Sequence, residues 1–182
     1  MTELKSPYKL GAEQGLKTGL LISAAFFCSV YQEAMPLLSF LLFALLIIIP
    51  LTVYAGMRLT YVDSEGRATF AALWMQGIMT FICGSLLGSL VALLYLNYLD
   101  PTYIHDTVDQ LRAAYTKLHS PEARQMADVL GYMIDNHLVP TNGTIVMGMF
   151  WLMVASGSVS SIFLSLLARA RKAGPRHSAA LN

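Results

Sequence analysis

The sequence predicts an all-α integral membrane protein, with four transmembrane helices and a two-helix amphipathic segment on the outer side between spans three and four. Three observations carry this. First, 55% of the 182 residues are hydrophobic and only 13% are charged, with a mean hydropathy of +0.55. A soluble domain averages about 25% charged residues, so too few charges remain to cover a water-facing surface. Second, four long stretches lack Asp, Glu, Lys and Arg. Third, nine of the twelve Lys and Arg residues fall on one side of the alternation those stretches create. Disorder is excluded, because it requires low hydrophobicity. A net charge of +1 offers no basic field for nucleic acid.

The elements follow in order. A spanning helix needs about 20 predominantly apolar residues. The first uncharged stretch, 18–32, is short, but Lys17 and Glu33 at its flanks can snorkel outward, which lets 15–35 cross. It reads as a signal anchor. The leader before it is long, no small-x-small cleavage site follows, and Phe26 and Phe27 before Cys28 are too bulky for a lipoprotein site. The second stretch, 34–57, gives a span at 36–58, with Pro36 in its first turn and Pro50 inside it, freeing a carbonyl and predicting a kink. The third, 68–99, gives a span at 70–98, and the fourth, 137–168, gives one at 143–168. Asn142-Gly143-Thr144 matches the glycosylation acceptor pattern and reads as the turn and cap that start span four.

Basic residues set the orientation. Lys5, Lys9 and Lys17 precede span one, Arg58 and Arg67 lie between spans two and three, and Arg169, Arg171, Lys172 and Arg176 mark the tail at 169–182. The positive-inside rule puts both termini in the cytoplasm, as an even span count requires, and the expected location is the bacterial inner membrane. Tyr31, Tyr95, Tyr98 and Trp151 are expected at the outer interface, and Tyr54, Tyr61 and Trp74 at the inner one.

The outer segment at 100–137 is too long to lack structure. Asp100-Pro101 reads as a cap and first-turn proline, followed by an apolar stripe of Ile104, Val108, Leu111, Tyr115 and Leu118. Ser120-Pro121-Glu122 restarts the signal, and Ala123, Met126, Ala127, Leu130 and Ile134 form a second stripe. Two short helices are expected, broken at 119–121. They pack on each other as a lid or lie among headgroups, and their acidic polar faces favour packing.

Chemical motifs are sparse. Asp106-Thr107-Val108-Asp109 is a lone D-x-x-D, read as a solvated helix face, and Ser6 to Lys9 fits S-x-x-K in a tail with no pocket around it. His105, His119 and His137 share the outer segment with acids, yet a metal site needs three or four converging ligands. No catalytic residue, cofactor or metal is expected. Cys28 and Cys83 read as small apolar residues within the spans. Gln76 and Asn97 are the larger polar groups available inside the spans, which disfavours a coupled transporter. Small residues are arranged. Gly11, Gly15, Gly19 and Ser23 recur every fourth position, as do Gly84, Gly88 and Ala92, and Gly157, Ser161 and Ser165. Each ladder lies on one helix face and lets backbones approach closely, within one bundle or toward another protein.

Several of these features together resemble a bacterial family of four-span membrane proteins, domain-of-unknown-function family 4199. They are Lys9-Leu10-Gly11 with Gly15 and Gly19, the aromatic and basic patch from Arg58 to Phe70, and the third span ending Asn97-Tyr98-Leu99-Asp100-Pro101. The resemblance covers nearly the whole chain and implies a role in envelope glycan or lipid metabolism, with no catalytic residues to carry over. The expected function is a non-catalytic accessory or scaffold protein whose partners are the bilayer and another membrane protein or a second copy. The alternative is a small transporter or lipid-handling protein with a groove beneath the outer helices.

Overall fold

The computed structural model describes residues 6–32, 34–118 and 120–170. Lys5, Glu33, His119 and the tail residues Arg171, Lys172 and Arg176 lie outside them. Among the described residues the chain is helical, without strands. The helices are α1 (Pro7–Tyr31), α2 (Leu37–Asp63), α3 (Phe70–Leu94, continued by a π-helical turn Tyr95–Leu99), α4 (Tyr103–Lys117), α5 (Pro121–Asp135) and α6 (Asn142–Ala170). Three segments are long and apolar enough to cross a membrane: Leu37–Asp63, Phe70–Leu99 and Asn142–Ala170. The α1 helix has 25 residues, but Lys9, Glu13, Gln14 and Lys17 dilute its apolar content. It starts at Pro7, where a missing N–H costs a first turn nothing, and stops at Tyr31. The α2 helix runs through Pro50 without interruption.

The chain forms two compact units. The first comprises the described residues of Met1–Gly88 and Phe150–Asn182. Here α1 and α3 run parallel, because Gly11, Gly15 and Gly19 meet Gln76, Thr80 and Gly84 in ascending order. The α2 helix runs antiparallel to α1, with Gln14 opposite Thr52 and Val53, and Ala25 and Cys28 beside Leu45. The α6 helix runs antiparallel to α3, with Gly157 against Phe81 and Ser161 against Gly77. Ile22, Ile49, Val53, Met57, Leu73, Phe81 and Ala168 fill the space between them. Arg58 Nη1 donates to Ala168 O at 2.9 Å, so a cation closes a terminal carbonyl of α6.

The second unit is Ser89–Met149. Here α4 and α5 pack together, separated by non-helical residues at Leu118 and Ser120. Ser120 caps α5, its Oγ accepting from Ala123 N at 3.2 Å, with Pro121 in the first turn. Ala123, Ala127, Leu130 and Gly131 are buried, and the Arg112 guanidinium lies across Gly131. The stripe expected on α4 is covered only in part. Ile104, Val108 and Tyr115 are half-buried, whereas Leu111 and Leu118 are exposed, because the small side chains of α5 cover a narrow strip.

Two expected caps are corrected. Asp100 does not open α4. Its N–H closes the π turn on Tyr95 O at 3.1 Å, and α4 starts at Tyr103, where Thr102 Oγ1 donates to Asp106 Oδ2 at 3.0 Å. The α6 helix is capped by Thr141, whose Oγ1 accepts from Thr144 N at 3.4 Å, and not by Asn142. The Asp100 N–H is committed to Tyr95 O and Pro101 has none to give, and Asn142 Nδ2 donates to Leu96 O at 2.7 Å. Tyr95, expected at the outer interface, is only 6% exposed, whereas Tyr98 and Trp151 are exposed.

Candidate functional site

The polar centre of the first unit is a pair of buried amides. Gln14 on α1 donates through Nε2 to Thr52 O at 2.8 Å and Val53 O at 3.2 Å on α2. Gln76 on α3 donates through Nε2 to Gln14 Oε1 at 3.2 Å. One chain of amides therefore ties three helices. Gly56 makes it possible, because a Cβ there would run into the Gln14 amide. Beneath the pair, Thr80 Oγ1 donates to Gln76 O at 2.8 Å and reaches Gly11 O at 3.3 Å. In an apolar medium each such bond replaces an unsatisfied polar group, although the net worth of interhelical bonds in membranes averages about 0.6 kcal/mol. Gln76 Oε1 is buried without a partner among the described residues.

A lateral cleft of 420 Å³ opens beside this pair, between α1 and α2. Gln14 and Gln76 line it together with Thr52 and Thr60, the apolar Leu10, Ala55 and Leu59, and the charged Glu13 and Lys17. A second groove of 590 Å³ lies between α2 and α6, lined by Leu46, Pro50, Leu51, Tyr54, Leu164 and Leu167 among others. Among the described residues no three His, Cys, Asp or Glu side chains form a metal-binding group.

The small-residue ladders face inward. A Cβ on Gly11 would lie 2.8 Å from Gln76 O, one on Gly15 3.2 Å from Thr80 O, and one on Gly19 3.1 Å from Gly84 O. The two backbones therefore approach closely enough for Cα–H···O contacts. Gly84 packs on Gly15 and Gly19, and Gly88 on Ile22. Ser23 is buried and donates to Gly19 O at 2.8 Å. On α6, Gly157 receives the Phe81 ring, Ser161 donates to Gly157 O at 2.7 Å, and Ser165 donates to Ile162 O at 2.9 Å. Ala92 is buried in the second unit. Spacing alone missed Gln14, Gly56 and Gly77. Gln14 precedes the uncharged stretch and Gly77 belongs to no four-residue series, whereas Thr52, Gly56 and Thr60 recur every fourth position on α2, a signal that could have found Gly56.

A family model described as protein of unknown function (DUF4199) matches residues 13–170. The chain belongs to this family. No curated protein and no solved structure matches it. The stretch shared with DUF4199 includes Gln14, Gln76, Gly56 and most of the cleft wall, and it ends where α6 ends.

Proposed function

We propose that the chain is a four-span protein of the bacterial inner membrane, with both termini cytoplasmic, that handles lipids by holding an amphiphile in the α1–α2 cleft. Support for the fourth span comes from α1 running parallel to α3. The contacts from Gly11 to Ile22 follow α3 over about 17 Å, so α1 shares the depth of its neighbour. Leu16, Leu20 and Phe27 point outward, as lipid-facing residues would. The α1 start, the α2 end and the α6 end share one side, and Lys9, Arg58 and Arg169 lie there, which the positive-inside rule assigns to the cytoplasm.

The observation that carries the lipid-handling reading is the convergence of Gln14, Gln76, Glu13 and Lys17 on one lateral cleft. Amphiphile sites combine an apolar wall with a few placed polar groups. Envelope glycan or lipid metabolism is the setting that the family resemblance suggests. Quantifying lipid retained by the chain after mild-detergent purification tests the reading. Leu59→Trp, which fills the cleft, is expected to lower the retained lipid at unchanged thermal stability. Equal retention by Leu59→Trp and wild type contradicts it.

A second reading, an accessory protein that binds another membrane protein, draws on the α2–α6 groove. Pro50 has no N–H for Leu46 O, leaving an acceptor in an apolar trough suited to a partner helix. Leu167→Trp would then release a co-purifying partner.

A further inference from the structure

The hydrogen-bonding inventory of the cleft constrains its ligand. The two amide hydrogens of Gln14 are engaged by Thr52 O and Val53 O. Thr52 Oγ1 donates to Ile48 O at 2.8 Å, and Thr60 Oγ1 to Gly56 O at 3.0 Å, so both hydroxyls turn only lone pairs to a ligand. Gln76, at 2% exposure, carries an acceptor oxygen with no donor among the described residues. The floor thus asks for hydrogen-bond donors. Lys17 on the wall is a cation and asks for an anion. Glu13 also lines the cleft, one helical turn from Lys17.

Resting on the reading that an amphiphile occupies this cleft, we propose that it selects an aminophospholipid, whose phosphate meets Lys17 and whose primary ammonium donates N–H to Gln76 Oε1. A quaternary ammonium of the same charge has no N–H to give, and a headgroup bearing only hydroxyls donates without the positive charge that strengthens the bond. Charge-assisted hydrogen bonds to a buried acceptor are strong enough to discriminate about tenfold.

Phospholipids of identical acyl chains titrated into the purified chain in mild detergent, with bound lipid counted by native mass spectrometry, test this. Phosphatidylethanolamine is expected to bind about tenfold more tightly than phosphatidylcholine. The dimethylated headgroup, which keeps one N–H, is expected to stay near the unmethylated one, with the loss falling on the last methyl. Gln76→Leu is expected to abolish the difference, while Lys17→Gln weakens both lipids. The methylation series uses wild-type protein, so the proposal stays testable should Gln76→Leu fail to fold. Equal binding of the two lipids, a gradual loss tracking headgroup size, or tighter binding of phosphatidylglycerol overturns it. If Leu59→Trp closes a site that shows no headgroup preference, this inference falls and the cleft reading survives. If no lipid binds and Leu59→Trp changes nothing, the cleft reading falls as well.

Discussion

The side-chain amide of Gln76 donates to Oε1 of Gln14 across 62 residues of sequence, and Gln14 passes the connection on to two carbonyls of α2. Loss of the middle member leaves the Gln76 amide N–H without its acceptor and removes the side-chain hydrogen bonds from Gln14 to α2. Gln14→Leu is expected to cost about 1–2 kcal/mol, read as a lower unfolding midpoint in detergent. A wild-type midpoint would remove the amide chain from the account of stability.

Gly56 and Gln14 form a coupled pair. Gly56→Ala pushes a methyl into the Gln14 amide, so it is expected to destabilise the wild type. In a Gln14→Ala background the obstructing amide is gone, and the same change is expected to be neutral or to add about 0.5–1 kcal/mol through helix propensity. A double-mutant cycle of unfolding energies checks this. Additive effects would mean that the contact is not rigid.

The glycines differ in what they face, which gives a ranking. A Cβ on Gly15 would sit 2.6 Å from Cys83 Cβ, whereas the nearest neighbours of one on Gly84 lie at 3.3 Å. Gly148 has nothing within 4 Å among the described residues. Thermal unfolding is expected to order the alanine variants accordingly, with Gly15→Ala the most damaging, Gly84→Ala mild, and Gly148→Ala neutral or stabilising by about 0.5–1 kcal/mol. Gly15→Leu is expected to be severe, and Leu20→Ile, on an exposed position, silent. Equal effects of the Gly15 and Gly148 alanine variants would contradict the α1–α3 seam.

Asn142 is expected to serve Leu96 rather than its own helix. Asn142→Ala removes the donor to a carbonyl that Pro101 cannot serve, at a cost of about 1 kcal/mol. Pro101→Ala in that background restores a backbone N–H and is expected to recover part of the loss. Ser120→Ala, which removes the α5 cap, is expected to cost about 1 kcal/mol of its own, and its effect is expected to add to that of Asn142→Ala. Hydrogen exchange of α5 amides separates the two.

The contrast between these sites marks what a single sequence can reveal. Ser120-Pro121-Glu122 announced the break between α4 and α5, because a cap and a first-turn proline act on residues three apart. Gly11, Gly15 and Gly19 announced a flat helix face for the same local reason. Their partner was hidden, since choosing Gln76 to Leu87 of α3 depends on the register between helices far apart in sequence. Gln14 is not legible from charge alone because the uncharged stretch begins only at Thr18, although Pro7 begins the helix well before. The Asp100-Pro101 pair does not open α4 because the π turn takes the Asp100 N–H for Tyr95 O.

The central claim is that α1 crosses the membrane beside α3. Single cysteines at Ser6, Glu65 and Thr116, placed in a cysteine-free background and probed with an impermeant thiol reagent in intact cells, test it most directly. Four spans predict protection at positions 6 and 65 and labelling at 116. Labelling of position 6 together with 116, while 65 stays protected, would mean that α1 does not cross and would contradict the account.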